Sequence, residues 1–318
     1  MSKPKVLVLG GCGFVGRNLV SYLVQNDLIS AIRVVDKVPP QVAWLNEPHT
    51  EAFNSSNVEF KSANLINPES CKNAFQISDG TTWDIVVNCA GETKSGQTDP
   101  VYNEGILKLS LNCAKEASLH NVKHYVELSS GNMYSSDKVP HKEDGPVEPW
   151  TFVAKWKRQV EKQFAEMPDL HYTLLRLPIV YGPGDRTGLS PRIMAAAIYK
   201  HLGETMKLLW NAELKINTVH VSDVCRAIWF VSSRDDTIGQ IIGRVLDEYC
   251  TYVMNFKKTV VDLVGAADDA NDKHLGPWAD ACRNNDILNT PLSPHMDSEL
   301  LLHKHLRLDG SKLKKIGF

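Results

Sequence analysis

The stretch from Lys5 to Gly16, KVLVLGGCGFVG, constrains this chain more than any other part of it. Val6, Leu7, Val8 and Leu9 are apolar without a break and β-branched at alternate positions, the pattern of a parallel strand covered on both faces. Gly10, Gly13 and Gly16 follow at a G-x-x-G-x-x-G spacing. Such a turn needs backbone angles that a side chain resists, and a diphosphate reaches the main chain only where no Cβ intervenes. The amphipathic run from Phe14 to Gln25 comes next, so its free N–H groups and positive dipole end would face that diphosphate. A second strand, Ile32 to Val35, ends in Asp36. That is about 20 residues past the last glycine, where an acid binds the hydroxyls of an adenosine ribose. The plainer alternative is a glycine turn that only packs a helix on a sheet. Strand, helix and acid in their required order favour the nucleotide.

With 318 residues and 35.5 kDa the chain can bury a large core. A net charge of −2 and a pI near 6.6 argue against a broad footprint for nucleic acid or anionic membrane. The seven cysteines are scattered and form no CxxC, which suits reduced thiols acting as small core residues. No metal site is expected, since His303 and His305 are too isolated to form one. The first strand begins at residue 5, leaving no room for a leader. No apolar run approaches the roughly 20 residues of a membrane span. The expectation is a soluble, cytoplasmic protein.

The rhythm after Asp36 is regular. Residues 38–57 read as a long polar connection, 58–61 as a strand, 68–75 as a short helix and 83–91 as a buried strand. A helix over 100–119, a strand over 124–130, a helix over 150–167 and a strand over 171–181 follow. Alternating βα units of this length predict an α/β fold with a doubly wound parallel sheet and its ligand at the carboxyl ends of the strands. Beyond Gly184 the rhythm changes to a helix over 191–202, short strands over 206–210 and 216–221, and helices over 222–232 and near 253–264. Residues 181–318 are therefore expected to form a smaller C-terminal α/β lobe, partly interleaved with residues 1–180.

Several motifs now stand in a recognisable order: the glycine turn, Asp36, Asn64–Leu65, VVNCAG (86–91), Asn103, SSGNMY (129–134), RLPIVYGPGD (176–185) and INTVHVSDVCRAI (216–228). Together they resemble the extended short-chain dehydrogenase/reductases of the NAD-dependent epimerase/dehydratase type, over roughly residues 4–230. The resemblance implies that residues 1–180 are an NAD-binding Rossmann domain. In it Gly10, Gly13, Gly16 and the amides around Phe14 and Val15 hold the diphosphate. Asp36 takes both ribose hydroxyls, which favours NAD because a 2′-phosphate would face a carboxylate, and the neighbouring Lys37 does not remove that repulsion. Asn64, with Leu65 beside it, stands where the family has an aspartate at the adenine amino group, and its amide oxygen can accept the same bond. Ala90 and Gly91 would line the middle of the cofactor, Pro178 and Ile179 its nicotinamide end, and Lys157 would grip the nicotinamide ribose. Asn132 and Arg192, with Arg186 nearby, lie where the family meets a substrate, often a nucleotide diphosphate sugar. Two copies would pair through helices 100–119 and 150–167. Trp150, Phe152 and Trp156 could supply apolar area there, and burial within one chain explains them equally well.

The catalytic motif is broken. The family places a Ser or Thr at the end of the fifth strand and a Tyr-x-x-x-Lys on the next helix, where the tyrosine moves the proton during hydride transfer. Ser130 fits the first role, with Tyr134 four residues on, and Lys157 with Glu161 after it fits the lysine. The tyrosine position is then Val153, and Lys155 in another register would pair only with Thr151. A valine moves no proton, a loss of about 10²–10⁴-fold in rate. Only Tyr134 or Tyr181, reaching in from elsewhere, could replace it. His220 and Asp223 are read as a helix corner capped by Ser222 or Asp223. Cys12 fills space in the glycine turn, although a helix N-terminus can also activate a thiol. Two functional readings follow. One is an NAD(H)-binding sensor, scaffold or regulatory protein that has lost the standard catalysis. The other is an active epimerase, dehydratase or dehydrogenase on a sugar-like substrate, using Ser130, Lys157 and an unconventional acid.

Overall fold

The computed structural model describes residues 3–78, 80–135, 137–206, 214–243, 248–249, 263–300 and 305–318. The chain runs β1 (Lys5–Leu9), α1 (Phe14–Gln25), β2 (Ala31–Asp36), α2 (Glu47–Phe53), β3 (Val58–Ser62), α3 (Pro68–Phe75) and β4 (Ile85–Asn88). It continues through α4 (Asp99–Tyr102), a π-helical stretch (Asn103–Lys108), α5 (Leu109–Leu119), β5 (His124–Ser130), α6 (Phe152–Phe164), β6 (Tyr172–Leu177) and β7 (Ile179–Tyr181). The remainder is α7 (Ser190–His201), β8 (Asn217–His220), α8 (Val221–Ser232), β9 (Gln240–Gly243), β10 (Glu248–Tyr249), α9 (Leu263–Asn284) and α10 (Ser311–Lys315).

Seven strands form one sheet in the order β3-β2-β1-β4-β5-β6-β9, and every pairing in it is parallel. Alternation along the strands sorts their side chains between two cores. Val6, Val8, Val34, Val87, Val126, Leu128 and Leu175 pack under α1 and α8. Leu7, Leu9, Val35, Val86, Tyr125 and Leu174 pack under α3, α5 and α6 on the other face. The order reverses between β1 and β4, and a crevice opens there at the carboxyl ends. The expected doubly wound α/β sheet is present. A second sheet, β10-β8-β7, stands beside it.

Several boundaries differ from the sequence reading, each for a local reason. Residues 38–57 are not all connection: Asn46 accepts the His49 N–H and Pro48 sits in the first turn, so α2 forms there. Residues 100–119 are one rod in space but change winding over the π-helical stretch. Residues 171–181 split at Pro178, which has no N–H to donate, and β6 and β7 join different sheets. Helix α9, with Pro277 inside it, runs on well past residue 264, where the last expected helix ends. The strand expected over 206–210 and most of the helix expected near 253–264 lie outside the described residues, as does His303. No helix among the described residues is long and apolar enough to cross a membrane.

Phe164 of α6 has no solvent exposure and packs edge-on against Tyr125 and Tyr172, at centroid distances of 5.8 and 5.5 Å. Phe164→Ala is expected to cost about 3–5 kcal/mol. Urea unfolding should show a lower midpoint with an unchanged slope.

Candidate functional site

The glycine turn is built by close main-chain contact. Gly10, at φ +71°, donates its N–H to the Val35 carbonyl at 2.7 Å, and Gly13 donates to the Gly10 carbonyl at 3.0 Å. A Cβ on Gly10 would lie 2.5 Å from the Ala90 nitrogen, and one on Gly16 would lie 2.4 Å from the Gly10 oxygen. The turns after β1 and β4 therefore touch, and only glycine permits it. Gly13 begins α1 with no side-chain cap, which leaves the amides of Phe14 and Val15 for an acceptor from outside the helix. Asp36 is held at the edge of this turn by N–H bonds from Cys12 and Val38, each 3.0 Å, and keeps lone pairs to spare. Lys37 is exposed. These residues fit a dinucleotide, with the amides facing its diphosphate and Asp36 its ribose.

Asn64 sits at an exposed position in the loop after β3. Its amide oxygen accepts the Ile66 N–H at 3.2 Å, and its own N–H donates to Ser70 Oγ at 3.0 Å, so the side chain shapes its own loop. Leu65 is buried in the core, and Asn112 of α5 donates to the carbonyls of Leu65 and Ile66 at 3.1 and 2.9 Å. Arg17 is a site residue that sequence reasoning missed. It is 3% exposed and donates to the carbonyls of Cys12, Gly13, Ala43 and Trp44, tying the glycine turn to the loop after β2. A charged residue directly after the third glycine was the available signal. Arg186, expected at the substrate, instead donates to the Ala43 carbonyl at 3.1 Å.

At the far end of the crevice α6 lies against β5. Thr151 caps the helix by accepting the Ala154 N–H at 3.1 Å. Lys157 is 7% exposed, and its ammonium lies beside Gly91, 3.7 Å from where a Cβ there would be. It donates to Glu127 Oε1 at 2.8 Å, and Glu127 is fully buried. Val153, one turn before Lys157, packs among the apolar residues of that core. Ser130 ends β5, and its Oγ accepts the Asn132 N–H at 3.1 Å. Ala90 is fixed by its N–H bond to Asn88 Oδ1 at 3.0 Å. Glu127 was not anticipated, because a glutamate inside an apolar strand reads as an exposed edge until its partners are placed.

A second carboxylate, Glu161, anchors the same helix. It takes a bidentate pair from Arg176 at 2.9 and 2.7 Å, plus Ser129 Oγ at 2.8 Å and Arg158 at 2.9 Å. Arg176 also donates to the Tyr134 hydroxyl, and the Tyr134 ring stacks on His141 at 5.3 Å. The Tyr134 phenol is thus engaged inside the protein, and burial raises its pKa. The Tyr181 ring packs edge-on against His220.

Asn132, Ile179 and Arg192 come together around a cavity of about 80 Å³, joined by Trp150, Thr187 and His305. Pro178 is buried beside Ile179. Trp150 thus faces the cavity, while Trp156 donates to Asp99 and Phe152 stacks on Tyr102 with part of its ring exposed. The helix at 221 is capped by His220 and not by Ser222 or Asp223: His220 Nδ1 accepts the Ser222 N–H at 3.3 Å, and Asp223 pairs with Arg226. No cluster of metal-ligating residues occurs among the described residues.

A model of the NAD-dependent epimerase/dehydratase family matches residues 6–243. Among curated proteins, the chain is 28% identical over 205 residues to a bifunctional UDP-glucose 4-epimerase and UDP-xylose 4-epimerase of Pisum sativum. That match covers 60% of this chain and only 57% of the relative's length. It is 26% identical over 273 residues to a decarboxylating sterol-4-alpha-carboxylate 3-dehydrogenase of Candida albicans, covering 81% of this chain and 75% of the relative. Among solved structures, UDP-glucose 4-epimerase of Thermus thermophilus in complex with NAD superposes with a TM-score of 0.68 at 20% identity. That alignment covers 98% of this chain and 93% of the other, and at this identity it speaks for the fold.

Cys12 lies in the glycine turn but is 3% exposed, and burial, with Asp36 adding to it, pushes its thiol up to about 12. The helix N-terminus does not activate it. Iodoacetamide at about pH 8 should leave Cys12 unlabelled in the folded protein and label it after unfolding, as read by peptide mass spectrometry.

Proposed function

The chain belongs to the NAD-dependent epimerase/dehydratase family, and from that premise we propose that it binds NAD(H) without the family's tyrosine-dependent catalysis. In this reading it serves as a nucleotide-responsive sensor, scaffold or regulatory protein. One observation carries it. Lys157 and the glycine turn are in place, while the position one turn before Lys157 is a half-buried valine, which has no group to move a proton. The Tyr134 phenol does not make up the loss, since buried Arg176 engages it.

The amides of Phe14 and Val15 would hold the diphosphate, Asp36 the adenosine ribose and Lys157 the nicotinamide ribose. Ala90 and Gly91 would line the path between them, with Pro178 and Ile179 at the nicotinamide ring. Bound NAD(H) supplies hydride chemistry in principle. What this chain lacks is the side chain that would move the accompanying proton. The cavity beside Ile179 favours a second ligand of polar, sugar-like character, with Asn132 and Thr187 for hydroxyls and Arg192 for an anionic group. That cavity also favours the rival reading, an enzyme that uses Ser130 and Lys157 with another acid. Pairing of two copies across α5 and α6 belongs to the same proposal, with the exposed apolar area of Val101 and Phe152 as its contribution.

Calorimetric titration tests the reading. NAD or NADH should bind with NADPH weaker, and Asp36→Ala should lose about tenfold or more by removing a charge-assisted bond to the ribose. No binding of any of the three overturns the proposal. Turnover of NAD(H) with UDP-sugars that Ser130→Ala abolishes would establish the rival.

A further inference from the structure

Two carboxylates lie between β5 and α6, and they do different work. Glu161 faces Arg176, Ser129 and Arg158, wholly inside the protein, and pins the helix to the sheet. Glu127 is equally buried, but its chain of contacts ends at the crevice. Its Oε1 accepts Lys157 Nζ at 2.8 Å and Ser110 Oγ at 2.9 Å; its Oε2 accepts Asn88 Nδ2 at 2.7 Å and the Tyr125 hydroxyl at 3.1 Å. The lysine it holds abuts Gly91, the turn residue after β4.

We infer that Glu127 is a positioning residue that has taken the missing phenol's place as the partner of Lys157, fixing the ammonium as a cation at the edge of the cofactor crevice. The inference rests on the NAD(H) reading above. Val153 offers the ammonium nothing polar. A buried ammonium needs a counter-charge in contact with it, and the carboxylate at 2.8 Å is that partner. Glu127 supplies that charge, and the three donors from β4, α5 and β5 fill its remaining lone pairs, so the carboxylate cannot swing away. A buried ion pair adds little to stability over a packed apolar pair, and Glu161 already docks the helix. The Glu127–Lys157 pair is therefore explained by the ammonium it holds beside Gly91.

The other titratable groups around the pair are quiet. Burial pushes Cys89, at the end of β4, up to about 12, and pushes Cys113 of α5 and Tyr125 of β5 up as well. Glu161 of α6 is held by its two arginines, and Asp36 stands across the crevice at the end of β2. Between about pH 6 and about pH 9 the thiols and phenol stay neutral, so Glu127 is the anion in contact with Lys157.

Fluorescence titration with NADH across that range tests the inference on the whole protein. Wild type and Glu127→Asp, which keeps the anion, should bind with nearly constant affinity. Glu127→Gln should weaken by about tenfold from about pH 6 to about pH 9, with the carboxylate that partners the ammonium gone. A Gln variant that matches wild type, or that is uniformly weaker at every pH, overturns the inference. If wild type binds no NADH, the cofactor reading itself fails, and nitrogen-15 NMR of the Lys157 side chain then tests the pair directly. An ammonium resonance persisting to about pH 9 supports it, and a neutral amine overturns it. The same spectrum of wild type decides the matter if the Gln variant does not fold.

Discussion

The contact between the turns after β1 and β4 is the constraint on which the rest depends. Gly10 lies so close to Ala90 that a single added carbon would collide with its backbone. Because the chain can pass there, the first helix starts directly under the crevice and its amides face outward. The reversal of strand order then places Asp36 on one side and the ends of β4 and β5 on the other. Arg17 reinforces this arrangement by gathering four carbonyls from the two neighbouring loops. The nucleotide site is thus shaped by main-chain geometry first and by side chains second.

Charge inside the core follows a different logic. The β5 strand carries Glu127 and Ser129 on the face covered by α6, where most neighbours are apolar. Such groups are tolerable only when every lone pair finds a donor, and both carboxylates of this interface meet that demand with three or more. The bidentate Arg176–Glu161 pair fixes α6 in rotation and in height. With the helix so fixed, Lys157 reaches Gly91 and Val153 packs half-buried against the core. The lysine and the valine are thus two consequences of one docking geometry.

The valine at position 153 sits within an otherwise regular arrangement of helix and strand. Thr151 still caps the helix, Ser130 still closes the strand, and the cavity beside Ile179 still gathers polar groups from several segments. On the proposed reading, binding and proton transfer are separable properties of such a crevice. Binding needs complementary contacts, whereas catalysis needs a group that changes charge during the reaction.

How much of this was legible in the sequence depends on how local each signal is. Alternating βα units and buried apolar strands determined the doubly wound parallel sheet, and the glycine spacing determined the tight turn after β1, because strand period and turn geometry act over a few residues. The gap at Val153 was equally legible, being set by its spacing from Lys157. Other features came only with the tertiary structure. Glu127, Arg17 and Tyr134 take their meaning from partners that stand 17 to 42 residues away. The contact of Arg186 with the Ala43 carbonyl likewise came only with folding. Helix α2 and most of helix α9 were missed where a cap or tertiary packing outweighed a polar, proline-bearing composition. Short-range patterns determine which elements form, and the burial of charge is decided by what folding brings beside it.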